Sequence, residues 1–209
     1  RAGAAKVAAT YFGTRSEYVG TYYQTYAAVD QEGRQWKFMS DGSIRAEKKV
    51  NGEKRAAGAV YRTEMVSPIC RYEDIEKIQE LIRELKKKGA IVNESCGIHV
   101  HIDASPFDAG KLRNLTNIMA AKEDLIYKAL GVSVERQHRW CRPVEERFLE
   151  ELNRRRPTSM EAVEEIWYNG RSRRGQHYDQ SRYHCLNLHS VFQKGTVEFR
   201  LFNGTLHAG

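Results

Sequence analysis

The stretch Cys96-Gly97-Ile98-His99-Val100-His101-Ile102-Asp103 constrains this chain more than any other. Ile98, Val100 and Ile102 alternate with His99, His101 and Asp103. In a β-strand, successive side chains point to opposite faces. One face is therefore apolar, and the other carries two imidazoles and a carboxylate. Histidines two apart on a strand sit roughly 7 Å from each other on the same side, close enough to line a single site. Neutral imidazole serves as a metal ligand and as a phosphate partner. A solvated face with two incidental histidines is the competing explanation.

A second stretch repeats the design. In Thr196-Val197-Glu198-Phe199-Arg200-Leu201-Phe202, the residues Val197, Phe199 and Leu201 form one face, and Thr196, Glu198 and Arg200 the other. Tyr61-Arg62-Thr63-Glu64-Met65-Val66 again places a lone acid in an apolar run. Were the three strands to share a sheet, Glu64, His99, His101, Glu198 and Arg200 would project into one concave face, leaving the apolar side for helices to cover. A simple cross-strand charge network between Glu198 and Arg200 is the alternative.

Composition narrows the class. The 209 residues suit one domain, and 29% charged residues with 41% hydrophobic ones suit a soluble, folded chain. No run of apolar residues is long enough to cross a membrane, and the Ala-rich start lacks the apolar core of a secretory signal. The four cysteines are widely separated and none forms a CxxC pair, which reads as reduced thiols in a cytoplasmic protein. The net charge of +7 comes largely from clusters at 86–88, 154–156 and 171–174. These read as helix ends and a loop, with nucleic acid ranked last among partners.

Along the chain, Ala4 to Phe12 reads as a short helix, and Tyr22 to Val29 with Arg34 to Met39 as a hairpin. Asn51-Gly52 falls in a loop. Ile75 to Leu85 is the clearest amphipathic helix, stopped at Gly89. Helices are expected over Asp108–Leu130, Val144–Asn153 and Met160–Tyr168, followed by a mobile Arg-rich loop over Asn169–Ser181. Cys185 to Ser190 reads as a strand, joined by a turn at Gln193-Lys194-Gly195 to the Glu198 strand. The expected class is α+β: a largely antiparallel sheet with helices on one face. No GxGxxG or GxxxxGK[ST] phosphate loop is present.

Several of these segments together resemble the amidoligase family of carboxylate–amine ligases, whose fold is similar to glutamine synthetase and glutamate–cysteine ligase. The resemblance rests on Trp36 with Ser40-Asp41-Gly42-Ser43, on Glu64-Met65-Val66-Ser67-Pro68, on Cys96 to His101, on Leu186-Asn187-Leu188, and on Gly195 to Leu206, in that order. It implies a half-barrel sheet and ATP-dependent amide or peptide bond formation through an acyl phosphate. Small-molecule or peptide carboxylates and amines would be the substrates, and Mg²⁺ or Mn²⁺ the ion. In this reading Glu64, His99 and Glu198 hold metal. His101 and Arg200 contact the nucleotide phosphates, and Arg200 is the cation on the transferred phosphoryl group. Arg200, Glu198 and Asp41 are the catalytic candidates, and Ser43 and Asn187 the substrate-binding ones. Asp41-Gly42 as ordinary turn chemistry is the rival reading.

One departure from the family pattern stands out. The family begins with a strand bearing Glu-x-Glu, and no such strand is expected ahead of Tyr22, where Glu17 stands alone. The single catalytic-type domain is therefore expected to lack its first strand, and a homo-oligomer completing sites between subunits would suit the missing acids. Two other classes compete with the ligase. One is a metal-dependent hydrolase built on His99, His101 and Glu198, and the other is a basic nucleic-acid module.

Overall fold

The computed structural model describes all 209 residues. It is α+β, with seven α-helices and antiparallel sheets that close no barrel. The chain divides into two units, Arg1–Cys96 with Gly204–Gly209, and Gly97–Asn203. No helix is long and apolar enough to cross a membrane.

In the first unit, the Ala-rich start forms α1 (Ala2–Phe12). Ala5, Ala8, Ala9 and Phe12 recur at helical spacing and all four are buried. They pack with Ala28, Trp36 and Phe38 of a four-stranded sheet, and with Leu81 and Leu85 of α2 (Ile75–Lys87). The strands β1 (Ser16–Gly20), β2 (Thr25–Val29) and β3 (Gln35–Met39) are followed by a separate hairpin, β4 (Glu47–Val50) and β5 (Glu53–Ala56). After the hairpin, β6 (Glu64–Val66) completes the sheet in the order β1-β2-β3-β6.

Three expectations change here. A strand does lie ahead of Tyr22, and it carries the single acid Glu17, with no Glu-x-Glu pair. Its apolar side chains, Tyr18 and Val19, are 58% and 38% exposed, so β1 is made by backbone pairing to β2 without a burial pattern to announce it. Tyr22 and Tyr23 belong to a turn, with Thr21 and Gln24 in left-handed conformation, and the strand begins at Thr25. The Asn51-Gly52 loop is a tight hairpin turn, with φ of +52° and +85° at the two residues, as a two-residue turn of matching twist requires.

The second unit holds β7 (Gly97–Asp103), α3 (Ala109–Ala129), α4 (Val134–Trp140), α5 (Glu146–Arg155), α6 (Met160–Tyr168), β8 (Leu186–Asn187), α7 (His189–Lys194) and β9 (Thr196–Asn203). Side chains at the starts of three helices satisfy orphan backbone donors. Asp108 accepts from Lys111 N, Ser133 from Arg136 N, and Ser159 from Ala162 N. The core joins Leu112, Met119, Phe148, Leu152, Ile166 and Trp167 of the helices to Leu186, Val197 and Leu201 of the sheet.

Further expectations are corrected in this unit. The predicted Cys185–Ser190 strand is only Leu186–Asn187, because His189, Ser190 and Val191 turn inward as the buried face of α7. The connection to β9 is thus a short helix ended by Gly195. Helices cover β8 and β9, but the apolar side chains of β7 stay 37–42% exposed, since β7 is an edge strand in the order β7-β9-β8. The strands bearing Glu64, His99 and Glu198 do not share one sheet. Glu64 lies on β6 of the four-stranded sheet, and His99 and Glu198 lie on the three-stranded one. The segment expected to be a loop is one through Asp179, and it carries ion pairs, Arg173 to Asp179 at 2.9 Å and Arg174 to Glu164 at 3.5 Å.

Candidate active site

The centre of the three-stranded sheet is Glu198. It lies on β9, the middle strand, and its register partners are His101 on β7 and Asn187 on β8. The three side chains therefore fall on one line across the sheet. Glu198 is 2% exposed. A carboxylate so buried must be neutralised or fully hydrogen-bonded. Arg200 Nη1 donates to Oε1 at 2.6 Å, and Asn187 Nδ2 donates to Oε2 at 2.6 Å. Both bonds are short, as charge-assisted bonds are.

The pairing of β7 with β9 is irregular. Ile98 faces Phe202 and Val100 faces Phe199, so His99 alone stands opposite Arg200 and Leu201. The extra residue is a bulge, which bends a strand and re-aims its side chains. Arg136 of α4 braces this part of β9, with Nη2 donating to the carbonyl of Phe202 at 3.1 Å. That arginine reaches the strand through the space left by Gly97, where a Cβ would stand 2.0 Å from Arg136 Nη2. The glycine before the two histidines is therefore a close-approach residue.

The imidazoles sit on the remaining side of Glu198. His99 Nδ1 is 3.4 Å and His101 Nε2 is 3.7 Å from Oε1. His101 Nδ1 bonds Thr196 Oγ1 at 2.9 Å, and Thr196 in turn bonds Ser190 Oγ at 2.8 Å. Ser190 N donates to Asn187 Oδ1 at 3.4 Å, which links the hydroxyl pair back to Glu198. Burial, helped by the Arg200 cation and opposed by Glu198, lowers His99 to about 3. Burial also lowers His101, against the pull of Glu198. Burial pushes Glu198 up, but Arg200 and the two histidines outweigh it and hold the carboxyl below its ordinary value. At neutral pH the site thus holds one carboxylate, one guanidinium and two uncharged imidazoles.

Arg200 is 5% exposed. Its Nε donates to Trp140 O at 3.4 Å, and its guanidinium lies 5.6 Å from the Tyr183 ring centre, a cation–π distance. Ser190, Thr196, Tyr183, Trp140 and Arg136 are absent from the sequence-predicted set. Thr196 shares its face with Glu198 by simple alternation, so that signal was available. Ser190 was hidden by the strand reading of Cys185–Ser190.

The structure brings together His99, His101, Asn187, Glu198 and Arg200. The other three predicted residues lie in the first unit. Asp41 Oδ1 accepts from Ser43 N and Ser43 Oγ, each at 2.8 Å, closing a side-chain turn over two residues. Glu64 opposes Met39 in the β3–β6 pairing. Asn187, expected to touch substrate, is 2% exposed and committed to Glu198.

The donor chemistry at Glu198 fits a divalent ion: a carboxylate and two imidazoles whose lone pairs are not blocked by protons. No group of three or more His, Cys, Asp or Glu side chains closes around one point, however.

A family described as "putative amidoligase enzyme" matches residues 1–209. No curated protein and no solved structure matches the chain. The family is one of ligases that form amide bonds. The chain belongs to the amidoligase family.

Proposed function

We propose that this chain carries out an ATP-dependent ligation of a carboxylate to an amine. The observation behind this reading is the buried Glu198–Arg200 pair with two uncharged imidazoles at its side. In the reaction, a substrate carboxylate oxygen bonds the γ-phosphorus of ATP as the bond to ADP breaks. The amine nitrogen then bonds the acyl carbon, inorganic phosphate leaves, and the nitrogen loses a proton. The task for the protein is to place fixed positive charge where phosphate charge moves.

Arg200 supplies that charge, and Glu198 and the Tyr183 ring keep its fork in place. His99 and Glu198 are the residues of this sheet that would hold Mg²⁺, which supplies neutralisation of the phosphate oxygens when bound. His101, oriented by Thr196, presents Nε2 to a phosphate oxygen. Glu64, Asp41 and Ser43 remain the candidates that the family pattern adds from the first unit. The hydrolase reading would set a metal on the same His99, His101 and Glu198, and the two readings part at nucleotide binding.

Calorimetric titration of ATP, with and without Mg²⁺, tests the proposal on the chain and on Glu198→Gln. We expect Mg²⁺-dependent binding that the variant loses. Binding unchanged in Glu198→Gln would move the nucleotide away from this sheet, and Zn²⁺ binding with no response to nucleotide would favour the hydrolase.

A further inference from the structure

The β4–β5 hairpin takes no part in the site described above. Its register places Lys48 directly opposite Arg55 and Lys49 directly opposite Lys54. Like charges facing each other across a strand pair are destabilising. Consecutive pairs point to opposite faces, so each face of the ribbon carries one repulsive pair. The Asn51-Gly52 turn, by contrast, is well suited to its conformation. A good turn has been joined to strands that repel each other.

Neighbouring groups relieve part of this charge. Glu53 pairs with Arg55 at 3.3 Å, Lys54 Nζ donates to Val92 O at 2.9 Å, and Lys48 lies 5.9 Å from the Tyr61 ring centre. Glu47 is taken by Arg45 at 3.2 Å. Lys49 has no partner.

The second observation is independent of charge. β4 and β5 form a sheet of their own, and outside their shared ladder the backbone of 47–50 and 53–56 bonds to no other backbone segment. A two-stranded ribbon is marginal alone, and its outward N–H and C=O groups are a template for another strand.

We propose that this hairpin docks an extended acidic polypeptide segment, which adds to the ribbon as a third strand. Alternating side chains of an added strand reach both faces, so its Asp and Glu residues meet Lys48 and Arg55 on one side and Lys49 and Lys54 on the other. A nucleic acid would use the cations and leave the backbone edges unpaired. A second copy of the hairpin would use the edges and set like charges together. Only an acidic peptide answers both. The proposal does not depend on the ligase reading, and its failure would leave that reading untouched.

The test is fluorescence anisotropy on the full chain with three labelled probes: a short peptide repeating Glu-Glu-Thr, which presents Glu on both faces of a strand, its Gln-Gln-Thr counterpart, and a single-stranded oligothymidine. The Glu-Glu-Thr peptide should bind, with affinity that falls as salt is added, and the Gln-Gln-Thr peptide should not. Lys49→Glu should weaken peptide binding about tenfold, and Lys49→Gln by less. In the unbound protein, Lys49→Glu should slow amide exchange across 47–56, because it converts the facing pair with Lys54 into an attractive one. Equal binding of both peptides, tighter binding of the oligothymidine, or full binding by Lys49→Glu would each overturn the proposal.

Discussion

Asp30 and Glu198 are both buried acids held by an arginine, one in each unit, and they are surrounded very differently. The Asp30 side chain is fully buried. It accepts from Trp36 Nε1 at 3.0 Å, Arg34 Nε at 3.0 Å, Arg34 N at 2.9 Å and Glu32 N at 3.0 Å. Arg34 then forks onto Asp74 at 2.7 and 2.8 Å, tying the β2–β3 hairpin to the start of α2. Each oxygen of that carboxylate accepts two hydrogen bonds. Glu198 has two short bonds and then two imidazoles at 3.4 and 3.7 Å, beyond good hydrogen-bond length. A saturated carboxylate is a structural staple. One flanked by loosely placed, uncharged nitrogens is not saturated by its neighbours.

The largest expected effect breaks the staple. Asp30→Asn would turn an NH₂ toward donors that have no acceptor left, and Trp36 or Arg34 would lose its partner. We expect a loss of about 3 kcal/mol, read from the urea midpoint. Glu198→Gln should cost less, about 1.5 kcal/mol: Arg200 loses its counter-charge, but the amide oxygen still accepts from it and the Asn187 amide can turn to offer its own oxygen. A larger loss for Glu198→Gln than for Asp30→Asn would erase the distinction between the two acids.

Gly97→Ala should fall between them. The added methyl would displace Arg136 from the bulged end of β9, at about 2 kcal/mol by the cost of overpacking. The urea midpoint reads this too. If Arg136→Met rescues Gly97→Ala, the clash is confirmed as the cause.

The two units should also respond differently to acid, in the absence of added metal. Burial pushes Asp30 up, but its bonds to Trp36 and Arg34 outweigh this and lower it. Asp74 is lowered first by its bonds to Arg34. Such groups stabilise above the ordinary carboxylate range near pH 4, and the contribution is lost as pH falls below it. His99 runs from about 6.5 unfolded to about 3 folded, so the unfolded chain binds the extra proton between those values. Stability owed to the neutral His99 is therefore full above about pH 6.5 and declines as pH falls toward 3. Amide exchange resolved by residue should show β7 and β9 loosening at a higher pH than β2 and β3. Simultaneous loosening would show that His99 is not held neutral.

Much of this arrangement was legible because alternation is local. His99 and His101 on one face, and Glu198 with Arg200 on one face, follow from period two alone. Trp36 as core also follows, since it alternates with Gln35 and Lys37 and shares its face with Phe38. What could not be read was which strands pair. Glu64 carries the same local signature as Glu198, but its strand joins β3, and pairing is decided by distant packing that no short window contains. The strand β1 was missed because its exposed Tyr18 and Val19 leave no hydrophobic pattern. Helix α7 was missed because Leu186, Leu188 and His189 read equally as a strand until Ser190 and Val191 are seen to turn inward.

The hydroxyls that this misreading concealed give the smallest and sharpest test of the comparison. If the Glu198 surroundings are built for chemistry, Thr196 matters through the orientation of His101, and Ser190 matters little to either orientation or stability. Ser190→Ala removes one member of the Ser190–Thr196 pair, while His101 Nδ1 keeps Thr196 at 2.9 Å. The expected stability loss is about 0.5–1 kcal/mol, that of a single neutral hydrogen bond. Thr196→Val removes the near partner of Nδ1, leaves only Ser190 Oγ at 3.5 Å, and should release the ring. Nitrogen-15 shifts of His101 would then move from a single tautomer in the parent and in Ser190→Ala to a mixture in Thr196→Val. The same mixture in the parent chain would mean that the hydroxyl pair fixes nothing. The imidazole beside Glu198 would then be as incidental as the bland reading of the His99–His101 strand allows.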